Sequence, residues 1–197
     1  MDATWFEQAY EGTPPWDIGR HQPAFEALAD AGEIVAPVLD AGCGTGENAL
    51  FLAARSFEVV GVDAVEAAVA AARTKAAARG LTAAFLVHDA LDLGDLRRRF
   101  ATVIDSGLFH TFSDEERVRF ARSLAAVLAP GGRYYVLCFS EFQTGSGGPR
   151  RVTQAELREC FDRAPLRVLS IERAEMASSG GGGHKVWLAR VERLPGA

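Results

Sequence analysis

A chain of 197 residues that is 48% hydrophobic and 24% charged has the make-up of one soluble globular domain, long enough to bury a core without disulfides. Its formal net charge of −5 and pI near 5.4 exclude the positive field that a nucleic-acid or anionic-membrane surface requires. Three cysteines, Cys43, Cys138 and Cys160, are an odd number without metal-ligand spacing, so they read as reduced thiols of a cytoplasmic protein and no metal is expected.

The N-terminus, MDATWFEQAY, is acidic and aromatic, unlike a signal peptide, and no apolar run approaches membrane-spanning length. Residues 1–36 read as a helix, a proline-rich turn and a second helix. Trp5, Tyr10 and Trp16 gather in this leader, either to staple it to the core or to cover a ligand.

From about residue 37 the pattern alternates. Short β-branched or aromatic runs (PVLDAG, FEVVGVD, AAFLVHDA, ATVIDSG and RYYVLCFS) are each followed by a helical or irregular connection. VEAAVAAARTKAAARG is an Ala-rich helix with Gly80 as its stop. Arg97, Arg98 and Arg99, beside DLGDL, read as a solvated helical face. SDEERVRFARSLAAVLAPGG is a helix opened by a capping box, Ser113 with Glu116, and ended by Pro130, Gly131 and Gly132 before the next strand. A second box, Thr153 with Glu156, opens TQAELRECFDRA. LRVLSIERAEM and HKVWLARVE, joined by ASSGGGG, should pair as an antiparallel hairpin at one sheet edge. Such alternation predicts a doubly wound α/β sheet, parallel and covered on both faces, in a single domain with a leader over 1–36 and a core over 37–192.

In an open parallel sheet, ligands bind beyond the carboxyl ends of the strands, where the strand order reverses. The first strand–loop–helix unit is VLDAGCGTGENAL, residues 38–50. Its glycines bring a ligand close to the main chain, and the helix that follows offers free N–H groups and a positive dipole end. A dinucleotide fingerprint G-x-G-x-x-G would need glycine at position 47, where Glu47 would repel a pyrophosphate. Asp40, at the strand end, suits a cationic amine better than a phosphate.

This D-x-G-x-G-x-G spacing resembles motif I of the class I S-adenosylmethionine-dependent methyltransferases, and later motifs agree in order over residues 37–192. The resemblance implies a mostly parallel seven-stranded Rossmann-like sheet and S-adenosyl-L-methionine as cofactor. It places the methionine part on Gly42, Gly44 and Gly46, with Asp40 adding negative charge nearby. Asp63 in VVGVDAVE, with Ala64 beside it, would accept from both ribose hydroxyls, although a dinucleotide enzyme places an acid similarly. Asp89 in HDALDL would accept from the adenine amino group, with the Ala90 N–H close by. Asp105 lies in VIDSGLFHTF, the segment that faces methyl donor and substrate in that family, and LAPGGRYYV matches the entry into strand five.

The leader stretch EGTPPWDIGRHQPAF resembles the N-terminal segment of the thiopurine and halide/thiol methyltransferase branch, where it folds over the cofactor. That implies a helical lid in which Trp16 meets the sulfonium through a cation–π contact of about 0.5–2 kcal/mol, with Tyr10 and Trp5 beside it; Trp16 as an anchor of the leader is the other reading. Methyl transfer is an in-line displacement in which positioning can supply about 7–11 kcal/mol. A thiolate or halide needs no base, whereas a hydroxyl or neutral amine does. His110 in GLFHTF is placed to contact or deprotonate the acceptor, or else to line the site through a hydrogen bond. His88 is expected on the opposite side of its strand, and His21 and His184 lie in the leader and hairpin. Phe109, Phe112 and Phe142 form either an apolar acceptor pocket or ordinary core.

The reading is therefore methyl transfer from S-adenosylmethionine to a small-molecule thiol, halide or aromatic N, O or S nucleophile. No nucleic-acid or membrane partner is expected, and the resemblance implies a monomer. The alternatives are a nucleotide-dependent Rossmann oxidoreductase, which Glu47 and the HDA motif oppose, and a non-catalytic binder of the same cofactor.

Overall fold

Apolar runs of this kind belong to strands packed inside a sheet, and five strands pair in parallel, the edge strand among them keeping Leu86 and Val87 exposed. In the computed structural model, which describes residues 3–145, 147–163 and 165–196, these are β1 (Val38–Ala41), β2 (Val59–Asp63), β3 (Ala84–Val87), β4 (Phe100–Ser106) and β5 (Leu128–Phe139). β6 (Leu166–Ala177) and β7 (Gly183–Arg193) form the antiparallel hairpin, with β7 paired to β5 and β6 at the edge. The order is β3-β2-β1-β4-β5-β7-β6. The chain works outward from β1 to β3 and then crosses to the other side of β1 as β4, so the carboxyl ends of β1 and β4 flank the switch point.

Successive strand residues feed opposite layers. Leu39, Val103, Tyr134 and Val136 face the layer that holds Phe120 and Leu124 of α5 (Asp114–Val127) and Leu157 and Phe161 of α6 (Gln154–Phe161). Their neighbours Val38, Ile104, Tyr135 and Leu137 face Phe25 of α2 (Pro23–Asp30), Leu50 of α3 (Glu47–Ala54) and Val69 of α4 (Glu66–Ala78). Both capping boxes form, Ser113 with Glu116 and Thr153 with Glu156. The leader runs through α1 (Ala3–Ala9), a turn and α2, across the carboxyl edge of the sheet. Among the described residues no helix is long and apolar enough to cross a membrane.

Two local expectations are corrected. Arg97–Arg99 do not lie on a helix: Arg97 ends a 3-10 turn with φ 49°, Arg98 pairs with Glu58, and Arg99 donates to the carbonyls of Ala125 and Leu128. Arg99 ties the start of β4 to the end of α5, and Arg98 ties it to the residue before β2. The helix also stops before Pro130, because Leu128 already pairs with Phe100 and begins β5.

Candidate functional site

The loops leaving β1, β2, β3 and β4 stand side by side and, with the leader and the segment after β5, enclose a cavity of about 800 Å³. A second cavity of about 560 Å³ lies between α5 and α6, far from the glycine loop. Tyr10, Trp16, Gly42, Gly44, Asp63, Ala64, Asp89, Ala90 and His110 all line the larger one.

The three glycines answer to different neighbours, and a Cβ on Gly42, at φ 68°, would meet the Leu108 side chain at 2.9 Å. A Cβ on Gly44, which has φ 54°, would stand 2.8 Å from the Tyr10 hydroxyl, so the leader itself lies on this residue. A Cβ on Gly46, at φ 88°, would meet the Ala72 methyl at 2.8 Å and the Phe85 ring at 2.9 Å. Gly46 therefore lets α3 close onto α4 and β3 and does not line the cavity, so its expected contact with the ligand is corrected to one of packing. Glu47, at the start of α3, is neutralised by Lys75 Nζ at 2.8 Å and by both Arg79 Nη atoms.

Asp63 ends β2 with its carboxylate doubly engaged: Oδ2 accepts from Gly44 N–H at 2.8 Å and Oδ1 from Val65 N–H at 2.9 Å. It thereby joins the first loop to the second, and each oxygen keeps a further lone-pair direction. Asp89 is exposed and accepts from Leu91 N–H at 2.9 Å, capping the 3-10 turn Ala90–Leu96. Burial raises the Asp63 carboxyl above its ordinary range, against the pull of its backbone donors.

Asp40 and Asp105 lie beneath the cavity and do not line it. Asp40 Oδ2 accepts from Ala49 N–H at 3.2 Å, while its buried Oδ1 has no partner. Asp105 accepts from Leu108 N–H (2.7 Å), Phe109 N–H (3.0 Å) and the Tyr134 hydroxyl (2.8 Å), which folds the turn after β4. Burial pushes Asp40 up to about 8 and Asp105 up to about 7. Unfolded carboxyls ionise near about 4, so between about pH 4 and 8 the native chain holds protons that the unfolded chain has lost, and stability falls as pH rises through that window. Thermal melts are expected at higher temperature near about pH 6 than near about pH 9. Asp40→Asn should flatten the trend; an unchanged slope in that variant would refute the assignment.

His110 occupies the 3-10 turn Phe109–Thr111, is 4% exposed, and accepts from Phe139 N–H at Nδ1 (2.9 Å). Burial, with Arg117, His184 and Arg151 nearby, pushes its imidazole down to about 3. Phe109 is corrected to core: it is fully buried against Phe120 and Phe161. Phe142 is also outside the cavity, its ring edge-on to Trp187 and under the Arg173 guanidinium. Phe112 and Phe139 do line it. His88 is turned inward, contrary to expectation, with Nε2 3.0 Å from the Asp92 carbonyl. Burial raises all three thiols, Cys160 up to about 12, so none is a thiolate nucleophile.

The leader is stitched down. Asp17 Oδ2 accepts from the Thr45 hydroxyl at 2.8 Å, Gln22 N–H donates to Asn48 Oδ1 at 2.9 Å, and the Gln22 side chain bonds both the N–H and the carbonyl of Ala177. Trp16 donates to the Tyr10 hydroxyl and packs against Trp5 and Phe6. The sequence reading missed Asp17 and Thr45, and also Gln143, Arg151 and Met176 at the far wall. Those positions carry no motif, although the W-D pair did mark the leader.

A methyltransferase domain model matches residues 38–132. A 2-heptyl-1-hydroxyquinolin-4(1H)-one methyltransferase of Mycobacteroides abscessus is 38% identical over 188 residues, covering 90% of this chain and 82% of that protein. "Probable thiol methyltransferase 2" of Arabidopsis thaliana is 27% identical over 176 residues, 87% of this chain and 77% of that one. A solved structure described for conversion of a disulfide bond into a thioacetal group during echinomycin biosynthesis superposes with a TM-score of 0.91 at 36% identity, covering 98% of this chain and 94% of the other.

Proposed function

The chain belongs to the class I S-adenosylmethionine-dependent methyltransferases, and from that premise we propose that it methylates a thiol, an anionic nucleophile such as halide, or a ring-borne N, O or S of a small molecule. S-adenosylmethionine, when bound, supplies a methyl group on a cationic sulfur. The residues present fit it. The buried Asp40 Oδ1 lacks a donor, the main chain of Gly42 and Gly44 lines the cavity, and Asp63 has lone pairs to spare. In this reading Asp63 accepts from the ribose hydroxyls, Asp89 and the Ala90 N–H take the adenine edge, and the unpartnered Asp40 Oδ1 accepts from the ammonium, whose charge draws the carboxyl into its ionised form. Trp16 presents its indole to the sulfonium, and the closed leader excludes water.

The observation that carries the reading is the joint placement of the glycine loop, Asp63 and Asp89 around one cavity at the strand switch point. The relatives' named acceptors, a hydroxyquinolone and a thiol, support the acceptor class. Titration calorimetry with S-adenosylmethionine and with S-adenosylhomocysteine tests it, and the absence of heat with either ends it. Trp16→Ala should weaken S-adenosylmethionine by about 2- to 30-fold, the span of a cation–π contact. S-adenosylhomocysteine, which carries no sulfonium charge, should lose less. Equal losses for the two would make Trp16 an anchor of the leader only.

A further inference from the structure

We infer that His110 is a fixed hydrogen-bond donor that selects acceptors already ionised, and that the protein supplies no base. The inference rests on the methyl-transfer reading and deepens it. Because Nδ1 accepts from Phe139 N–H, the single proton of the neutral ring must sit on Nε2. The ring is held edge-on to Phe139, at 4.7 Å between centroids and 64°. Nε2 lies 3.4 Å from where a Cβ on Gly107 would stand, and Gly107 and His110 both line the cavity. A base needs a free lone pair at the site, and this imidazole offers an N–H instead.

The charges around His110 point the same way. From α5, Arg117 lies over the Phe109 ring at 4.8 Å, almost fully buried. Its Nη1 reaches Glu156 at 3.3 Å, but Nε and Nη2 have no partner, so its charge is only partly offset. That carboxylate is shared with Arg150. From the segment after β5, Arg151 stands over the Phe139 ring at 5.6 Å, and from β7, His184 packs on the same ring. Cys138 of β5 is a neutral buried thiol. Among the described residues that line this side of the cavity the one carboxylate, Glu116, is held by Ser113 N–H in the capping box. Asp105 is spent on its three donors. The other carboxylates that line the cavity, Glu7, Asp17, Glu47, Asp63 and Asp89, belong to its leader and glycine-loop half.

Negative charge is thus favoured at the His110 end and disfavoured at the other, which is the polarity that an anionic acceptor facing a cationic donor requires. The acceptor's lone pair forms the bond to the methyl carbon as it displaces the sulfonium's bonding pair onto sulfur. Anion and cation become two neutral products, and no proton changes hands. Acceptors with an acidic heteroatom, such as thiols, phenols and N-hydroxy heteroaromatics, meet this condition; aliphatic amines and alcohols do not. Leu108, Phe112, Phe139 and Met176 give such a molecule apolar walls.

The test is kcat/KM against pH for thiophenol, 4-nitrothiophenol and 1-hydroxyquinolin-4(1H)-one at saturating S-adenosylmethionine. Each profile should rise about tenfold per pH unit below the acceptor's own ionisation and flatten above it, so that the break moves with the acceptor. A break fixed at one pH for all three overturns the inference and leaves the methyl-transfer reading intact; that reading fails only if neither cofactor form binds. His110→Phe should lower kcat/KM about 10-fold or more without shifting the breaks, and His110→Gln, which keeps both an acceptor and a donor, should recover part of the loss. A readout independent of turnover is 4-nitrophenol, whose anion is coloured, bound with S-adenosylhomocysteine present. Bound nitrophenol should ionise at lower pH than free nitrophenol; binding of the neutral form, or no uptake of the anion, overturns the inference as well.

Discussion

Asp63→Ala is expected to weaken S-adenosylmethionine by about a hundredfold or more, the largest effect of any single side chain at the site. Hydrogen bonds to a charged group are worth about 1.5–3 kcal/mol each, and two ribose hydroxyls would lose theirs together. The same change strands the N–H groups of Gly44 and Val65, which now give their hydrogens to this carboxylate at 2.8 and 2.9 Å. Some loosening of the glycine loop therefore accompanies the loss of direct contact. Asp63→Asn separates the two, since its carbonyl keeps one of those donors while the charge is gone. Calorimetric affinities should fall in the order wild type, Asn, Ala, and melts of the unliganded variants report the loop's own share. Wild-type affinity in Asp63→Ala would show that the ribose assignment is wrong.

Most of the fold could be read in the chain because local and long-range signals agree. Both capping boxes lie where the hydrophobic period changes, and the glycine tract after Met176 joins two alternating runs that do pair. The misreadings arose where a distant partner decides. The Arg97–Arg99 triplet is solvated as expected, but it looks helical until the carbonyls at the end of α5, some thirty positions along, are brought beside Arg99. Pro130 looks like a helix stop, yet the helix has already ended because Leu128 is needed opposite Phe100.

The site divides in the same manner. Residues at or just past a strand's end, such as Asp63 and Asp89, are fixed by that end, so the order of motifs that carries the family resemblance places them. Strand alternation points His88 the other way, but β3 ends at Val87 and the following turn brings the His88 side chain to the cavity. Glu47 reads as a bare charge in the sequence, whereas Lys75 on α4 and Arg79 just past its end neutralise it. Its force against a pyrophosphate is correspondingly small, and the family assignment rests on the whole set of motifs. The far wall, built from Gln143, Arg151, Met176 and His184, is assembled by sheet order alone, which brings the segment after β5 against the hairpin. The bond pattern of His110 is of the same kind, since it depends on an amide in the neighbouring strand.

Asp105→Ala should produce the largest loss of stability among the site substitutions, because the carboxylate satisfies three donors at once in a fully buried position. Each donor left unpaired costs about 1–3 kcal/mol, so with three donors a loss of about 3–9 kcal/mol is expected against a typical total of about 5–15. Urea denaturation of the purified variant measures it. If that variant does not accumulate folded, Tyr134→Phe is the milder probe: it removes one donor, leaves the two backbone bonds in place and should cost about 1 kcal/mol. The two changes should not add. With Asp105 gone the Tyr134 hydroxyl is one of the orphans, so deleting it in the Asp105→Ala background should cost less than in the wild type, or even restore stability. Full additivity would mean that the hydroxyl and the carboxylate do not share a bond, and the turn that carries Leu108 and His110 to the cavity would need another cause.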